Sequence, residues 1–224
     1  MNKRSFLKSL SILAAGASLT SAPLMAAQSA STQTLIKPKA LPTGGTIGIC
    51  SPSAATAAHA DILLAQGVIE ALGYKAKLAP NILARRGHLA GTDAMRASDL
   101  NSLFNDKEVD AILCLRGGSG AARILPLLDY AMIRNNPKPL MGYSDITALH
   151  NALLSQAGLI SFHGPNASSD WNPFHVAQFK SMFEARKLMH FQNLSSYLLL
   201  KDILMIHGMF FFRHHRKLQA LLYF

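Results

Sequence analysis

Val109-Asp110-Ala111-Ile112-Leu113-Cys114-Leu115-Arg116-Gly117-Gly118-Ser119-Gly120 decides the fold. Val109–Leu115 has the length and apolar content of a strand covered on both faces. It breaks at once into Arg116–Gly120, where glycines free the chain for a tight turn, and Ala121–Leu128 then follows with helical spacing. A buried strand, a glycine turn and a helix form half of a strand–helix–strand crossover. That unit belongs to parallel sheets.

The same alternation extends in both directions. Upstream, Thr46–Cys50 is a strand ending at Ser51-Pro52-Ser53. Asp61–Leu72 carries Ile62, Leu63, Ala65, Val68, Ile69 and Leu72 at helical spacing and stops at Gly73. Tyr74–Leu78 is a second strand, Arg85–Gly91 a polar loop, and Thr92–Phe104 a helix with Thr92 placed to cap it. Downstream, Pro139–Tyr143 leads through Ser144-Asp145 into the helix Ile146–Gln156, and Leu159–Phe162 precedes His163-Gly164-Pro165. The expected class is α/β, a mostly parallel sheet with helices on both faces over residues 44–185. No internal repeat is visible.

Composition agrees with a folded core: half of the 224 residues are apolar and 15% are charged. The net charge of +10 is unevenly placed. Residues 1–36 carry +3, residues 37–185 carry +2, and residues 186–224 carry +5. A near-neutral middle argues against a phosphate-binding groove, so no nucleic-acid partner is expected. Residues 1–30 have the layout of an export leader: Lys3 to Lys8, the apolar Leu10–Leu19, then Ser21-Ala22-Pro23 and Ala26-Ala27. Lys3-Arg4-Ser5-Phe6-Leu7-Lys8 is similar to a twin-arginine motif with Lys in the first place, which leaves the route open between twin-arginine and general secretion. Cleavage is expected within residues 26–30, followed by a linker at 31–43 and a periplasmic location, with no stable transmembrane span once the leader is removed. Cys50 and Cys114 are read as small buried hydrophobes, with a bond between neighbouring strands as the alternative.

Chemistry in open parallel sheets gathers at the carboxyl ends of strands. Four breaks fall there: Ser51–Ser53, Arg116–Gly120, Gly142–Asp145 and His163–Asn166. Within Met141-Gly142-Tyr143-Ser144-Asp145-Ile146-Thr147 a serine at a strand-to-helix turn suits a nucleophile elbow, although Ile146 replaces the second glycine of G-x-S-x-G. Helix capping by Ser144 explains the same residues. The backbone N–H groups of Gly117–Gly120 suit an anion or a developing oxyanion, or the turn simply needs positive φ. It lacks the Lys-Ser/Thr pair of a nucleotide-binding loop. His150 and His163 flank the elbow, the nine histidines show no metal spacing, and neither metal nor cofactor is expected.

Taken together, these segments resemble the LD-carboxypeptidase family of serine peptidases, which includes the microcin-immunity type. The stretches that carry the resemblance are Gly45–Ile49 with Ser51-Pro52-Ser53, Asp110–Arg123, Pro137–Leu149 and Phe162–Pro165. The resemblance implies an amino-terminal domain with class I glutamine amidotransferase-like or flavodoxin-like layering. It implies Ser144 as nucleophile, and an oxyanion hole from the N–H groups of Gly118 and Asp145. Ser51, Arg116, Gly117 and His163 are candidate crevice residues. The substrate class it implies is a peptidoglycan tetrapeptide that loses its terminal D-amino acid, and a homodimer is carried as a candidate assembly. Ala54 departs from the family's frequent glycine.

The family's triad Glu and His come from a second domain, and here the sequence departs. Residues 187–224 hold seven of the seventeen aromatic residues, a single acid (Asp202) and no Glu. His190, His207, His214 and His215 lie in no family context and receive no role. Residues 186–224 are therefore expected to be a truncated or out-of-frame tail, with a divergent docking helix or a membrane-surface helix as the alternatives. The expected consequence is impaired catalysis, or a chain that binds muropeptides without cutting them.

Overall fold

The computed structural model describes residues 34–184 together with the backbone of three later strands. The expected leader at 1–30, the first linker residues and the fate of the tail lie outside the described residues.

Five parallel strands form the sheet: β1 (Thr46–Cys50), β2 (Lys75–Leu78), β3 (Ala111–Cys114), β4 (Leu140–Gly142) and β5 (Phe162–His163). Their spatial order is β2-β1-β3-β4-β5. The order reverses between β1 and β3, which is the switch point of a flavodoxin-like sheet and the place where its crevice opens. The later strands β6 (His190–Phe191), β7 (Phe210–His214) and β8 (Lys217–Leu221) pair antiparallel in the order β6-β8-β7.

Alternation along the strands explains the two layers. Ile47 and Ile49 of β1 and Ala111 and Leu113 of β3 pack with Ile62 and Ile69 of α1 (His59–Ala71). Phe179 and Phe183 of a later helix, Pro173–Phe183, join the same cluster. Cys50, Ile112, Cys114 and Leu140 face the opposite layer, with Leu100, Leu103 and Phe104 of α2 (Asp93–Asn105). That layer is completed by Ile133 of α3 (Tyr130–Asn135) and Leu149 of α4 (Thr147–Ala152). Helices therefore cover both faces. Gly48 lets α2 come close: a Cβ there would stand 2.8 Å from the Leu103 side chain.

Several elements differ in detail from the sequence expectation. Ala121–Leu127 winds as a tight 3-10 helix with Pro126 near its end, a residue whose missing N–H and ring oppose any longer helix. The expected helix Ile146–Gln156 divides into a 3-10 turn at Ser144–Ile146, α4, and a π-helical turn at Leu153–Ala157. Leu159 makes a bridge to Ile36 and does not join the sheet, whose last strand is Phe162–His163. Residues 34–43 dock on the domain: Leu41 is buried and its N–H donates to Phe183 O at 2.8 Å. Two helices lie outside the sequence expectation, α3 and Pro173–Phe183, here α5, although Asn172-Pro173 is a cap followed by a proline at the first turn. Among the described residues no helix is long and apolar enough to cross a membrane.

Cys50 and Cys114 stand directly opposite each other on β1 and β3, both free and both buried. Contact with the Cys114 thiol and burial hold the Cys50 thiol well above its ordinary range. Neither thiol is therefore expected to react with an aromatic disulfide reagent in native buffer, and both are expected to react in guanidinium. Reaction of either thiol at its denatured rate in the folded chain would contradict this packing.

Candidate active site

Ser144 follows β4 by two residues and is exposed. Its φ is +64°, and among the described residues no other non-glycine residue has a positive φ. A serine in this region carries steric strain of order 1–3 kcal/mol, which the surroundings must hold in place. Two glycines make room. A Cβ on Gly117 would lie 3.0 Å from the Ser144 Cβ and 3.1 Å from Tyr143 O. A Cβ on Gly142 would lie 2.8 Å from the side-chain oxygen of Asn166. Ser144 makes no capping hydrogen bond, since the turn begins after Tyr143 without a side-chain cap. Ser144 is thus not a helix cap but a strained residue of the strand-to-helix turn.

The turns after β1 and β3 meet beside this elbow. Asp145 Oδ2 accepts from Ser53 Oγ at 2.5 Å and from Ala121 N–H at 2.8 Å. Arg96 of α2 is buried and its Nη1 donates to Pro52 O at 2.7 Å and Gly120 O at 2.8 Å. Arg96 also pairs with Asp93, whose carboxylate is gripped by Arg123 and held below the usual range chiefly by that contact. Gly118 and Gly120 have φ of +134° and +121°. Gly118 packs so closely that a Cβ would stand 2.4 Å from that of Ala54. The loop Arg85–Gly91 closes over the same corner, with His88 O accepting from Ala55 N–H at 2.9 Å.

The remaining sequence candidates divide. Arg116 is half-buried, and its Nη1 donates to Ala55 O at 3.1 Å. It has no carboxylate partner among the described residues. Ser51 is buried, and its Oγ has no hydrogen-bond partner among the described residues. His163, in register with Gly142, is half-buried with its ring centroid 6.3 Å from that of Tyr143, and desolvation lowers its pKa. His150 is fully engaged: Nε2 donates to Gly142 O at 2.9 Å and Nδ1 accepts from Ser161 Oγ at 2.7 Å. That pattern fixes the neutral tautomer with its proton on Nε2. His150 therefore supports the elbow from below and is not positioned as its base. Ser144 Oγ hydrogen-bonds to no described residue.

Three supports carry no expectation from the sequence: Arg96, the side chain of Asp145, and Asn166, whose Oδ1 accepts from Tyr143 N–H at 3.2 Å. Arg96 had a visible signal. It shares the buried face of a helix with Leu100, Leu103 and Phe104, where an unpaired cation would be untenable.

Burial pushes the His150 pKa down to about 4, against 6.5 in the unfolded chain. The unfolded state then binds the proton first as pH falls. Stability from this group is complete above pH 6.5 and is lost progressively between 6.5 and about 4. Urea titrations across that window should show a fall of roughly 3 kcal/mol from this group, flattened in a His150→Gln variant. An unchanged slope in the variant would refute the assignment.

Comparison with known proteins agrees with this geometry. The family description "LD-carboxypeptidase N-terminal domain" matches residues 47–164, more than half of the chain. A probable murein peptide carboxypeptidase of Bacillus subtilis (strain 168) is 39% identical over 164 residues, covering 71% of this chain and 51% of that protein. The murein tetrapeptide carboxypeptidase of Pseudomonas aeruginosa is 36% identical over 129 residues, 57% of this chain and 41% of that protein. The crystal structure of an MccF-like protein from Bacillus anthracis str. Ames superimposes with a TM-score of 0.63 at 30% identity, over 66% of this chain and 47% of that one. The chain thus spans about half the length, or less, of the relatives it matches. With the elbow after β4 and the glycine turn after β3 both inside the matched segment, the chain belongs to the LD-carboxypeptidase family and carries its N-terminal domain.

Proposed function

We propose that this chain contributes the nucleophile half of an exported serine LD-carboxypeptidase that releases a terminal D-amino acid from murein peptides. The observation that carries the proposal is Ser144 itself, exposed at a strand-to-helix turn with φ +64°. A substrate carbonyl placed against Oγ would have the N–H groups of Asp145 and Gly118 as candidate oxyanion donors. Arg116, lacking a carboxylate partner among the described residues, is the candidate cation for the free carboxylate of the terminal residue. Names of relatives that act on murein peptides support the substrate class.

The proposed chemistry is acyl transfer. Ser144 Oγ attacks the carbonyl of the penultimate residue while a base takes its proton. The D-amino acid leaves with a proton from that base, and water then hydrolyses the acyl-serine. Serine needs the base in hydrogen-bond reach, and His150 is committed to Gly142 and Ser161. No hydrogen bond joins Ser144 Oγ to a described residue, so this reading takes the base from outside the described residues.

Two measurements test the proposal. The first is D-Ala release from L-Ala-D-Glu-meso-diaminopimelate-D-Ala by the purified chain beside Ser144→Ala. Loss of a triad base costs on the order of 10⁶-fold in kcat, so the chain alone should turn over very slowly. Adding the C-terminal domain of a relative should restore a rate that Ser144→Ala abolishes. Binding of the tetrapeptide with no turnover under either condition would favour a muropeptide-binding role. Equal turnover by Ser144→Ala would refute the nucleophile. The second measurement is intact mass of periplasmic material, expected to begin near Gln28 after loss of residues 1 to about 27. A cytoplasmic pool retaining Met1 and no periplasmic form would refute export.

A further inference from the structure

The carboxylate of Asp145 bonds to neither its own helix nor a cation. Its Oδ2 takes the Ser53 hydroxyl, 92 residues upstream, and the Ala121 N–H, 24 residues upstream. The turn that begins at Ser144 has no side-chain cap, so ordinary capping does not account for this carboxylate. On the same two turns, buried Arg96 holds the carbonyls of Pro52 and Gly120. The Gly120–Ala121 peptide unit is therefore held at both ends, its oxygen by a guanidinium and its N–H by a carboxylate. The Pro52–Ser53 turn is held in the same way, through its carbonyl and its hydroxyl.

We propose that the Asp145 carboxylate is a positioning group that fixes the Gly117–Gly120 turn against the Ser144 elbow, so that the two oxyanion donors stay aimed at one point. This rests on the reading of Ser144 as nucleophile. The need for such a group follows from the turn. Gly118 and Gly120 both sit at positive φ, and glycine samples that region and its mirror almost equally. Packing alone limits the turn on one side, where Ala54 meets Gly118 and Leu89 meets Gly120. Charge-assisted bonds from Asp145 supply the other restraint, and they join the turn to the residue that follows the nucleophile. A carboxylate beside a developing oxyanion would ordinarily oppose it. Here its charge is engaged by two donors and balanced through the Gly120–Ala121 peptide by Arg96.

The test uses the full chain with Asp145→Ala and Asp145→Asn. Amide hydrogen exchange followed by NMR reads the clamp directly. In Asp145→Ala, protection at Ala121 should fall about tenfold or more while β3 and β4 keep theirs, and Asp145→Asn should recover most of it through its side-chain oxygen. Exchange at Gly117–Ala121 unchanged in Asp145→Ala overturns the proposal. If that variant does not fold, Ser53→Ala, which removes the other partner of Asp145 Oδ2, carries the comparison; faster exchange at Ala121 is expected there, and unchanged exchange overturns the proposal equally.

A fluorophosphonate, applied with the C-terminal domain of a relative added as in the turnover assay, then reads positioning. The Ser144 Oγ–P bond forms, the P–F bond breaks, fluoride leaves, and the hydroxyl proton passes to the supplied base. The rate of mass gain at Ser144 should fall about tenfold in Asp145→Ala and be recovered in Asp145→Asn. Lost protection with an unchanged labelling rate overturns positioning and leaves a structural bond. Label that persists in Ser144→Ala, or never appears in the wild-type chain, counts against the nucleophile reading instead, and the exchange data still decide the clamp.

Discussion

Arg96 is a guanidinium with 1% of its surface exposed, taken out of water by α2 and by the turns that follow β1 and β3. Such a cation is tolerable only if most of its donors are used, and of its nitrogens Nε alone has no partner among the described residues. Nη1 is used twice, on Pro52 O and Gly120 O, and Nη2 meets Asp93. Desolvation thereby becomes a geometric constraint. The two turns cannot drift apart without stranding a buried charge, and removing Arg96 would leave Pro52 O without its donor and Gly120 O with the Arg123 N–H alone. The switch point between β1 and β3 is where a parallel sheet opens a crevice, and it is also where backbone polar groups lose their ladder partners. Arg96 answers that deficit on the carbonyl side, and Asp145 answers it on the donor side.

The elbow depends on that constraint. Ser144 is strained at φ +64°, and a strained residue persists only where its neighbours admit no alternative. Gly117 and Gly142 leave no room for a Cβ beside it, Asn166 anchors Tyr143 N–H, and His150 anchors Gly142 O. These restraints come from four separate stretches of the chain. A serine that served only to start a helix would need none of them.

Much of this was legible in the sequence because it depends on local pattern. Thr46–Cys50 coincides with β1, Thr92 does cap α2, accepting from Met95 N–H, and the glycine turn does follow β3. Apolar alternation on strands buried on two faces, and glycines after them, are signals within a dozen residues. The unread features are long-range. Asp145 reaches Ser53 across 92 residues and Arg96 reaches Pro52 across 44, and no local pattern encodes such a partner. Arg96 announced itself only as a charged residue on an apolar helix face. The short helix α3 was missed for a different reason: six residues between Asp129 and Asn136 are too few to show a period.

His150 shows how structure and chemistry share one residue's neighbourhood. In the sequence it is a lone histidine that flanks the elbow, six residues before the end of the expected helix Ile146–Gln156. Its two bonds spend both ring nitrogens on Ser161 and Gly142, and desolvation keeps it neutral. Protonation would turn Nδ1 from acceptor into donor and oppose the Ser161 hydroxyl unless that hydroxyl turned round. It would also put a charge under β4, directly beneath the turn that carries Ser144. Any acid limb in the activity of an assembled enzyme would then contain two events, titration of the base and loosening of the elbow. The two separate by their midpoints. A supplied histidine base titrates near its own pKa, whereas the elbow yields with the His150 linkage, between pH 6.5 and about 4.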